Sequence, residues 1–336
     1  MDVRREAIEL KALVLKEQGN FDSLTVVHDR PKPEPNSDEI RVKVVAAGLN
    51  PSDYQTASYR GLAGNTTRVL GLDIAGIVDS VGGDVTNFNV GDRVYYLRNI
   101  TNEHGGFAEY AVTTAHTASK LPDNIPFACA GVAPGAGFTA YQAIVQKLRP
   151  QAGKSILIHG GAGGVGGYAI QLAKLSGLTV YTTCQASDIP YVLSLGADQA
   201  IDYLSQDVYA EIGRLTQDQG VDYVLSTINS DTATRDIDAL RFGGEIVVTA
   251  GFPDFNRFRF YDKGLSLHEI ALGAAHTVND HAVQSTLADI GDAFAALLSE
   301  QQIKSPAITS ITMEAIPEYL KKMQNGGVQG KVVAMI

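Results

Sequence analysis

The chain has 336 residues, of which 45% are hydrophobic and 19% are charged, and its formal net charge is −10. This length predicts about two domains, and the negative charge argues against a nucleic-acid partner held mainly through its phosphates. Two cysteines, Cys129 and Cys184, are too few for a disulfide framework. No signal-peptide core is visible at the N-terminus, and no stretch reaches the roughly 20 apolar residues of a membrane span. We therefore expect a cytoplasmic protein without a membrane partner.

The first 120 residues predict a small, mostly β domain. Residues 1–10 resemble a loose extension before a first strand at 11–15, and a proline-broken connector leads to a strand at 40–46. In that second strand charged and apolar residues alternate, which is typical of a sheet with one solvated face. Short strands and glycine turns follow, interrupted by one short helix near 52–59.

The segment 155–177 has the sequence SILIHGGAGGVGGYAIQLAKLSG. A short apolar strand is followed by Gly161, Gly163 and Gly166 in the G-x-G-x-x-G spacing, and then by apolar residues at helical intervals. A glycine loop between a strand and a helix is the context that dinucleotide binding requires, because the helix N-terminus offers free N–H groups to phosphates. An ordinary glycine-rich turn is the alternative interpretation.

After this loop, apolar strands alternate with helical patterns, which predicts a doubly wound parallel sheet. The predicted strands are 179–184, 199–203, 221–227, 244–252 and 268–273. Helices predicted at 283–298 and 315–324 and a strand at 331–336 form a tail that returns to the first domain. The expected domains are thus 1–128, 129–274 and a C-terminal return at 275–336.

The order of motifs resembles the medium-chain dehydrogenase/reductase superfamily, specifically its zinc-free quinone oxidoreductase branch. The segments that carry the resemblance are GLNPSDY (48–54), VLGLDIAGIV (69–78), FNVGDRV (88–94), GGFAEYAV (105–112), GFTAY (137–141), GGAGGVG (160–166), LGADQAIDY (195–203) and GKVV (330–333). The resemblance implies an α/β protein with a GroES-like, mostly β catalytic domain and a Rossmann domain. It also implies NADPH as hydride donor, a small quinone or enone as substrate, and a homodimer or homotetramer joined through Rossmann edge strands.

The chain departs from the zinc-dependent branch of that superfamily. Asn50 stands where that branch has a cysteine ligand, Leu72 and Asp73 replace a His-Glu pair, and the lobe with four cysteines is missing. Catalytic zinc needs three protein ligands and an open position, so we expect no metal. His104 and His116 are interpreted as loop or surface residues and not as metal ligands, and His159 as a packing residue and not a catalyst.

Three residues are candidates for catalysis. Asn50 would orient the nicotinamide or a substrate carbonyl, as the resemblance suggests, with a turn residue before Pro51 as the equal alternative. Tyr54 and Tyr59 would donate a hydrogen bond to a developing enolate, although half-buried aromatic residues are the favoured interpretation for both.

Cofactor binding is assigned to the glycine loop and to positions that match the family. The candidates are Thr139, Gly161, Ala162, Gly163, Gly164, Val165, Gly166, Thr183, Ser187, Tyr203, Thr249, Gly251, Phe252 and Lys331. NADPH is preferred over NADH because the strand ending at Thr183 carries no carboxylate for a ribose 2′-hydroxyl. Asp188 is better placed as a helix N-cap. An enoyl-thioester or alkene reductase and a non-catalytic NADPH-binding protein are the alternative functions.

Overall fold

A computed structural model describes residues 9–58 and 68–336. Its described residues form two compact units. Unit 1 contains the chain up to Gly135 together with Gly273–Ser299 and Ala307–Ile336, and unit 2 contains Ala136–Leu272 and Glu300–Pro306.

The strands and helices are numbered in chain order. The strands are β1 (Glu9–Leu15), β2 (Leu24–Pro31), β3 (Glu39–Gly48), β4 (Arg68–Val69), β5 (Asp73–Val81), β6 (Arg93–Leu97), β7 (Tyr110–Thr114), β8 (Ser119–Lys120), β9 (Ser155–Ile158), β10 (Thr179–Cys184), β11 (Gln199–Asp202), β12 (Val221–Ser226), β13 (Leu240–Val248), β14 (Ser266–Glu269), β15 (Ile308–Thr312) and β16 (Lys331–Met335). The helices are α1 (Pro51–Ser58), α2 (Phe127–Ala130), α3 (Thr139–Tyr141), α4 (Gly164–Leu175), α5 (Ile189–Ser194), α6 (Val208–Thr216), α7 (Ser230–Ala239), α8 (Phe260–Lys263), α9 (His281–Ser299) and α10 (Ile316–Gln324).

Unit 2 is built on a six-stranded parallel sheet with the order β11-β10-β9-β12-β13-β14. Strands covered on both faces are apolar along their length, as in Ile156, Leu157 and Ile158, which are fully buried. The order reverses between β9 and β12, which both border the loop after β9. In such sheets ligands bind outside the carboxyl ends of the strands at this switch point. The predicted Rossmann architecture is confirmed.

Unit 1 contains a three-stranded antiparallel sheet, β2-β1-β4, and a seven-stranded sheet in which β16 pairs with β3 and β15 is the edge strand. Its core is formed by buried aliphatic and aromatic side chains such as Leu13, Ile40 and Phe107. The antiparallel register of β3 and β5 places Gly48 opposite Asp73. The end of β3, the start of β5 and the start of β16 therefore lie together, and the predicted GroES-like β unit is confirmed.

The structure differs from the expected elements at several places. Strands β2 and β15 are not predicted by the sequence pattern, because both are half-buried to exposed strands of mixed polarity, and β15 pairs only along one side. The strand expected at 268–273 ends at Glu269 and gives way to a 3₁₀ segment, Leu272–Thr277. The first strand begins at Glu9 within the expected loose extension. Within the described residues, no helix is both long and apolar enough to cross a membrane.

Candidate functional site

The glycine loop of unit 2 joins β9 to α4 in a conformation that specific glycines permit. Gly160 has a φ of +65°, in the left-handed region that favours glycine. A Cβ on Gly161 would lie 2.2 Å from Thr182 Oγ1, and one on Gly166 would lie 2.2 Å from the Gly160 carbonyl oxygen. These positions must therefore lack side chains so that the loop and α4 can pack against the sheet.

Gly163 differs from these packing glycines. It is the N-cap of α4 with a φ of −82°, which any residue adopts. Among the described residues, a Cβ here would meet one atom, the Gly160 carbonyl oxygen at 3.3 Å. Open space thus faces the start of a helix, where free N–H groups and a partial positive charge favour anions. The loop fits a pyrophosphate, and Ala162, Gly164 and Val165 lie half-buried around this space.

A cavity of about 540 Å³ lies beside this loop, entirely within unit 2. It is lined by His159, Gly160, Thr183, Tyr203, Gln206, Asp207, Val208, Tyr209, Ile228, Thr232 and Arg235. Several of these residues follow or end β9, β10 and β12, so the cavity opens at the carboxyl ends of the central strands. A volume of this size is typical of small-molecule and cofactor sites.

A buried hydrogen-bond network forms one wall of the cavity. His159 Nε2 lies 2.7 Å from Asp236 Oδ1, and its Nδ1 lies 3.2 Å from Thr183 Oγ1. The Tyr209 hydroxyl donates to the same Asp236 oxygen at 3.1 Å, and the Gly160 N–H donates to Thr183 Oγ1 at 3.1 Å. His159 is buried, as a packing residue would be, but it also links the glycine loop to α7. Sequence reasoning missed this link because Asp236 belongs to no motif.

Arg235 is the cation that the sequence analysis did not find. It is the one Arg or Lys among the described residues that line the cavity. Its guanidinium carbon lies 4.2 Å from the centre of the Tyr209 ring, and its Nη2 lies 3.8 Å from Asp207 Oδ1. Asp207 in turn caps α6 by accepting from two backbone N–H groups. Arg235 lies on α7, far in sequence from the end of β10. A search of the sequence near that strand end for a cation that could bind a 2′-phosphate therefore does not reveal it.

The structure brings some predicted cofactor residues to this cavity and leaves others outside its lining. Thr183 and Tyr203 line it, and the half-exposed Tyr203 hydroxyl accepts a hydrogen bond from Gln185 Nε2 at 3.2 Å. Ser187 is exposed in a 3₁₀ turn, Ala186–Asp188. Asp188 is the N-cap residue of α5, as expected, although its side chain makes no capping hydrogen bond.

The remaining family-matched positions in unit 2 lie elsewhere on it. Thr139 is half-buried at the start of α3. Thr249 Oγ1 donates to the Ser226 carbonyl at 3.4 Å, at the carboxyl end of β13. Gly251 has a φ of +138°, and Phe252 is 42% exposed. None of these four lines the cavity among the described residues.

Unit 1 contains a buried polar cluster around Lys331. Its ammonium donates to Asn50 Oδ1 at 2.6 Å, to the Leu49 carbonyl at 2.9 Å and to Asp73 Oδ2 at 3.4 Å. Asp73 Oδ1 accepts from the Gly135 N–H at 2.6 Å. Asn50, Asp73 and Lys331 are all buried. The predicted catalytic asparagine and the predicted cofactor lysine are thus direct neighbours within unit 1.

Two further charges adjoin this cluster. Asp53 accepts from the Asn50 N–H at 2.8 Å and from the Gly71 N–H at 3.2 Å. Burial raises the pKa of Asp53 to about 7, and it also raises the pKa of Asp73, against the opposing charge of Lys331. Burial lowers the pKa of Arg98 to about 10. The three-residue spacing of Asn50 and Asp53 at a helix start is that of a capping box, a signal that sequence reasoning passed over.

Tyr54, His104 and His116 all lie in unit 1. Tyr54 is half-buried and packs against the core of unit 1, in agreement with the favoured interpretation of this residue. Tyr59 lies outside the described residues. His104 and His116 are both half-buried, and His116 Nε2 lies 2.6 Å from Gln284 Oε1. Across residues 9–58 and 68–336, no three His, Cys, Asp or Glu side chains are grouped to hold a metal ion.

Comparisons with known proteins agree with this architecture. Residues 36–123 match the alcohol dehydrogenase GroES-like domain, and residues 164–288 match the zinc-binding dehydrogenase domain. The quinone oxidoreductase of Pongo abelii is 31% identical over 244 residues, which cover 71% of this chain and 72% of that protein.

Two other relatives extend the likeness over nearly the whole chain. The structure of the quinone oxidoreductase from Coxiella burnetii superposes with a TM-score of 0.81 at 29% identity, covering 98% of this chain and 99% of the other. A component of the phenolphthiocerol/phthiocerol polyketide synthase of Mycobacterium tuberculosis is 29% identical over 99% of this chain, although the matched part is 15% of that protein.

Proposed function

Because the chain belongs to the quinone oxidoreductase branch of the medium-chain dehydrogenase/reductase superfamily, we propose that it is an NADPH-dependent, metal-free reductase of quinones or α,β-unsaturated carbonyls. The observation that carries this proposal is the Lys331 ammonium bound to Asn50 and Asp73. These two residues stand where the zinc-dependent branch has metal ligands. The Lys331 ammonium therefore lies in the polar cluster that these two positions form.

The reaction assigned to the site is hydride transfer. NADPH, when bound, supplies the hydride from its nicotinamide ring. The glycine loop binds the pyrophosphate through the free N–H groups of α4, with Gly163 leaving room for its approach. Asn50 is proposed to bind and orient the carbonyl group of the acceptor. Such an acceptor delocalises the incoming charge, so the reaction needs less help than alcohol oxidation, which relies on a Lewis acid.

NADPH rather than NADH is proposed from the chemistry of the cavity. No carboxylate stands at the end of β10 to accept from a ribose 2′-hydroxyl. Thr183, Ser187 and Tyr203 are proposed to contact the ribose and its phosphate, as predicted from the sequence. Arg235 adds the guanidinium that phosphate recognition favours.

A cytoplasmic homodimer or homotetramer, joined through Rossmann edge strands, is part of the same proposal. It is supported by β14, which is an edge strand of the six-stranded sheet. Phe242 at 77% exposure and Tyr261 at 91% exposure are large apolar side chains on the surface of the same unit. Size-exclusion chromatography with light scattering tests the proposal, since a monomer at micromolar concentration would contradict it.

The test of the activity is NADPH oxidation against a panel of quinones, enones and enoyl thioesters, with metal analysis of the same sample. We expect turnover with quinones or enones, no stoichiometric zinc, and no effect of a chelator. Zinc that restores activity after chelation would contradict the metal-free mechanism. Tight NADPH binding without turnover of any acceptor would instead select the non-catalytic alternative.

An enoyl-thioester reductase is the second candidate function. It is favoured by the 29% identity to a component of a polyketide synthase, which covers 99% of this chain. In the same panel, a preference of kcat/KM for enoyl thioesters over simple enones and quinones would select this function.

A further inference from the structure

The orientation of the Asn50 side-chain amide is determined by its neighbour Lys331. An ammonium has three donors and no acceptor, so the atom that faces Lys331 Nζ at 2.6 Å must be the amide oxygen. The other two acceptors of this ammonium are the Leu49 carbonyl and the Asp73 carboxylate. Because every contact of Lys331 is with an oxygen, the amide cannot turn over without placing its own N–H groups against the ammonium.

The opposite end of the same amide is unsatisfied. Asn50 Nδ2 is buried and makes no hydrogen bond of normal geometry to the described residues, although the Asn50 side chain is close enough to the Asp73 carboxylate to counteract the rise in the pKa of that group. Leaving a buried donor unpaired is energetically costly, and such groups are rare in native proteins unless they serve a ligand or a function. Since the oxygen is held by Lys331, the group that completes Asn50 must accept a hydrogen bond. A carbonyl oxygen has this property, whereas an ammonium or guanidinium does not.

We propose that Lys331 is a positioning residue that fixes Asn50 Nδ2 as a hydrogen-bond donor to a ligand carbonyl oxygen. The inference rests on the proposed reductase function. When the β-carbon of an enone accepts a hydride, a C–H bond forms there and the C=C electron pair shifts to give an enolate. Negative charge then grows on the carbonyl oxygen, and a proton from solvent later completes the α-carbon. An amide whose oxygen is bound to an ammonium is a more polarised donor for that charge.

This assignment gives Lys331 a role different from direct contact with the cofactor. Its ammonium is enclosed by Leu49, Asn50 and Asp73, and the residue is 4% exposed. All three of its donors are used within unit 1. The carbonyl oxygen at Asn50 has two possible sources, the acceptor substrate and the carboxamide of the nicotinamide ring, and the experiment separates them.

The experiment compares Asn50→Leu with a pair of substitutions, Lys331→Met/Asp73→Asn. The pair removes both buried charges together, because Lys331→Met alone would leave Asp73 as a buried carboxyl without its counter-charge and destabilise the protein strongly. The matched control is Lys263→Met, which removes a lysine that donates to three backbone carbonyls in unit 2. Circular dichroism verifies that each variant is folded.

Single-turnover hydride transfer with NADPH and an enone or quinone gives the main result. We expect Asn50→Leu and the charge-removing pair each to lose about 100-fold in rate, the usual effect of removing an oxyanion donor. The triple variant, Asn50→Leu/Lys331→Met/Asp73→Asn, should lose no more than Asn50→Leu alone, and Lys263→Met should retain the wild-type rate. Unchanged NADPH affinity assigns the carbonyl to the substrate, whereas a parallel loss of NADPH affinity assigns it to the carboxamide. A wild-type rate in the charge-removing pair, or losses that multiply in the triple variant, would overturn the proposal.

A second measurement does not depend on turnover. In ¹⁵N-labelled protein, the Asn50 side-chain NH₂ signal is identified by its loss in Asn50→Leu. We expect rotation of this amide to be at least tenfold faster in the charge-removing pair than in the wild type. Equal rotation rates would show that Lys331 does not hold the amide, even if the wild-type protein reduced none of the acceptors.

Discussion

The two units differ in the groups that each could offer to a ligand. Unit 2 offers backbone N–H groups and open space, since a side chain at Gly163 would meet one atom and a cavity of about 540 Å³ lies beside Gly160. Unit 1 presents side chains that are already packed, with Lys331, Asn50 and Asp73 in one buried cluster. Ligand binding at the glycine loop would therefore require that Gly163 has no side chain. The stability of the Lys331 cluster would instead require that its buried charges balance each other.

This difference predicts different responses to mutation. A new side chain in unit 2 should affect binding without affecting folding, because it enters ligand space. Removing a charge in unit 1 should affect folding and its pH dependence first, because Lys331 and Asp73 compensate each other and Asp53 is buried. The following predictions test that contrast, beginning with the largest effect.

The largest expected effect is on stability, at Asp53. Its pKa rises from 3.8 to about 7 on folding, so between these pH values the folded protein keeps a proton that the unfolded chain has released. Folding then takes up a proton, and stability falls as pH rises through this window. At about 1.4 kcal/mol per pH unit, the loss for Asp53 is on the order of 4 kcal/mol. Urea unfolding from pH 4 to 7 should show this loss in the wild type relative to Asp53→Asn.

The control for that experiment is Asp84→Asn, which changes an exposed carboxylate of the same unit. Its stability should follow the wild-type curve at every pH. If the wild type and Asp53→Asn instead showed parallel pH profiles, the buried carboxyl would not be the group that titrates.

The second prediction concerns Gly163→Val. Valine is compatible with the backbone of Gly163 but fills the space at the start of α4, so we expect at least about a hundredfold loss of dinucleotide affinity. Calorimetric titration with NADPH measures the loss, and thermal melting should be close to the wild type. Gly83→Val, which adds a side chain in open space of unit 1, is the matched control. Unchanged NADPH binding by folded Gly163→Val would remove the nucleotide assignment from this loop.

A smaller change is expected from Thr183→Asp. The new carboxylate at the end of β10 would accept from a ribose 2′-hydroxyl and repel a 2′-phosphate. We expect the NADPH to NADH ratio of kcat/KM to fall by about tenfold or more, the effect of one hydrogen bond to a charged group. An unmoved ratio would mean that Thr183 does not contact the ribose.

The smallest predicted effect belongs to Arg235→Gln. Because the Arg235 side chain is 59% exposed, we expect up to about a fivefold loss of affinity for adenosine 2′,5′-bisphosphate and none for adenosine 5′-monophosphate. Arg214→Gln removes a similarly exposed arginine from the adjacent helix α6 and should change neither affinity. Equal losses for both nucleotides would indicate that Arg235 contacts the base or 5′-phosphate instead of the 2′-phosphate.

The sequence by itself determined the elements whose signals are local. The strand, glycine loop and helix at 155–175 occupy one continuous segment, so their spacing alone predicts the nucleotide loop and the parallel sheet around it. The same holds for the mostly β character of unit 1, which follows from alternating strands such as β3. Exposed strands were missed because β2 and β15 lack a continuous apolar face and are held by pairing with a neighbour.

Only the tertiary structure decided which polar groups meet. Asn50 and Lys331 are 281 positions apart, and pairing of β16 with β3 brings them within 2.6 Å. Arg235 reaches the cavity and Asp236 meets His159 because α7 packs beside α6, and no motif identifies either residue. Burial likewise raises the pKa of Asp53, although a carboxyl at a helix start in sequence is typically exposed. Such properties depend on distance and dielectric environment, which are set by packing between distant segments and leave no periodic signal in the chain.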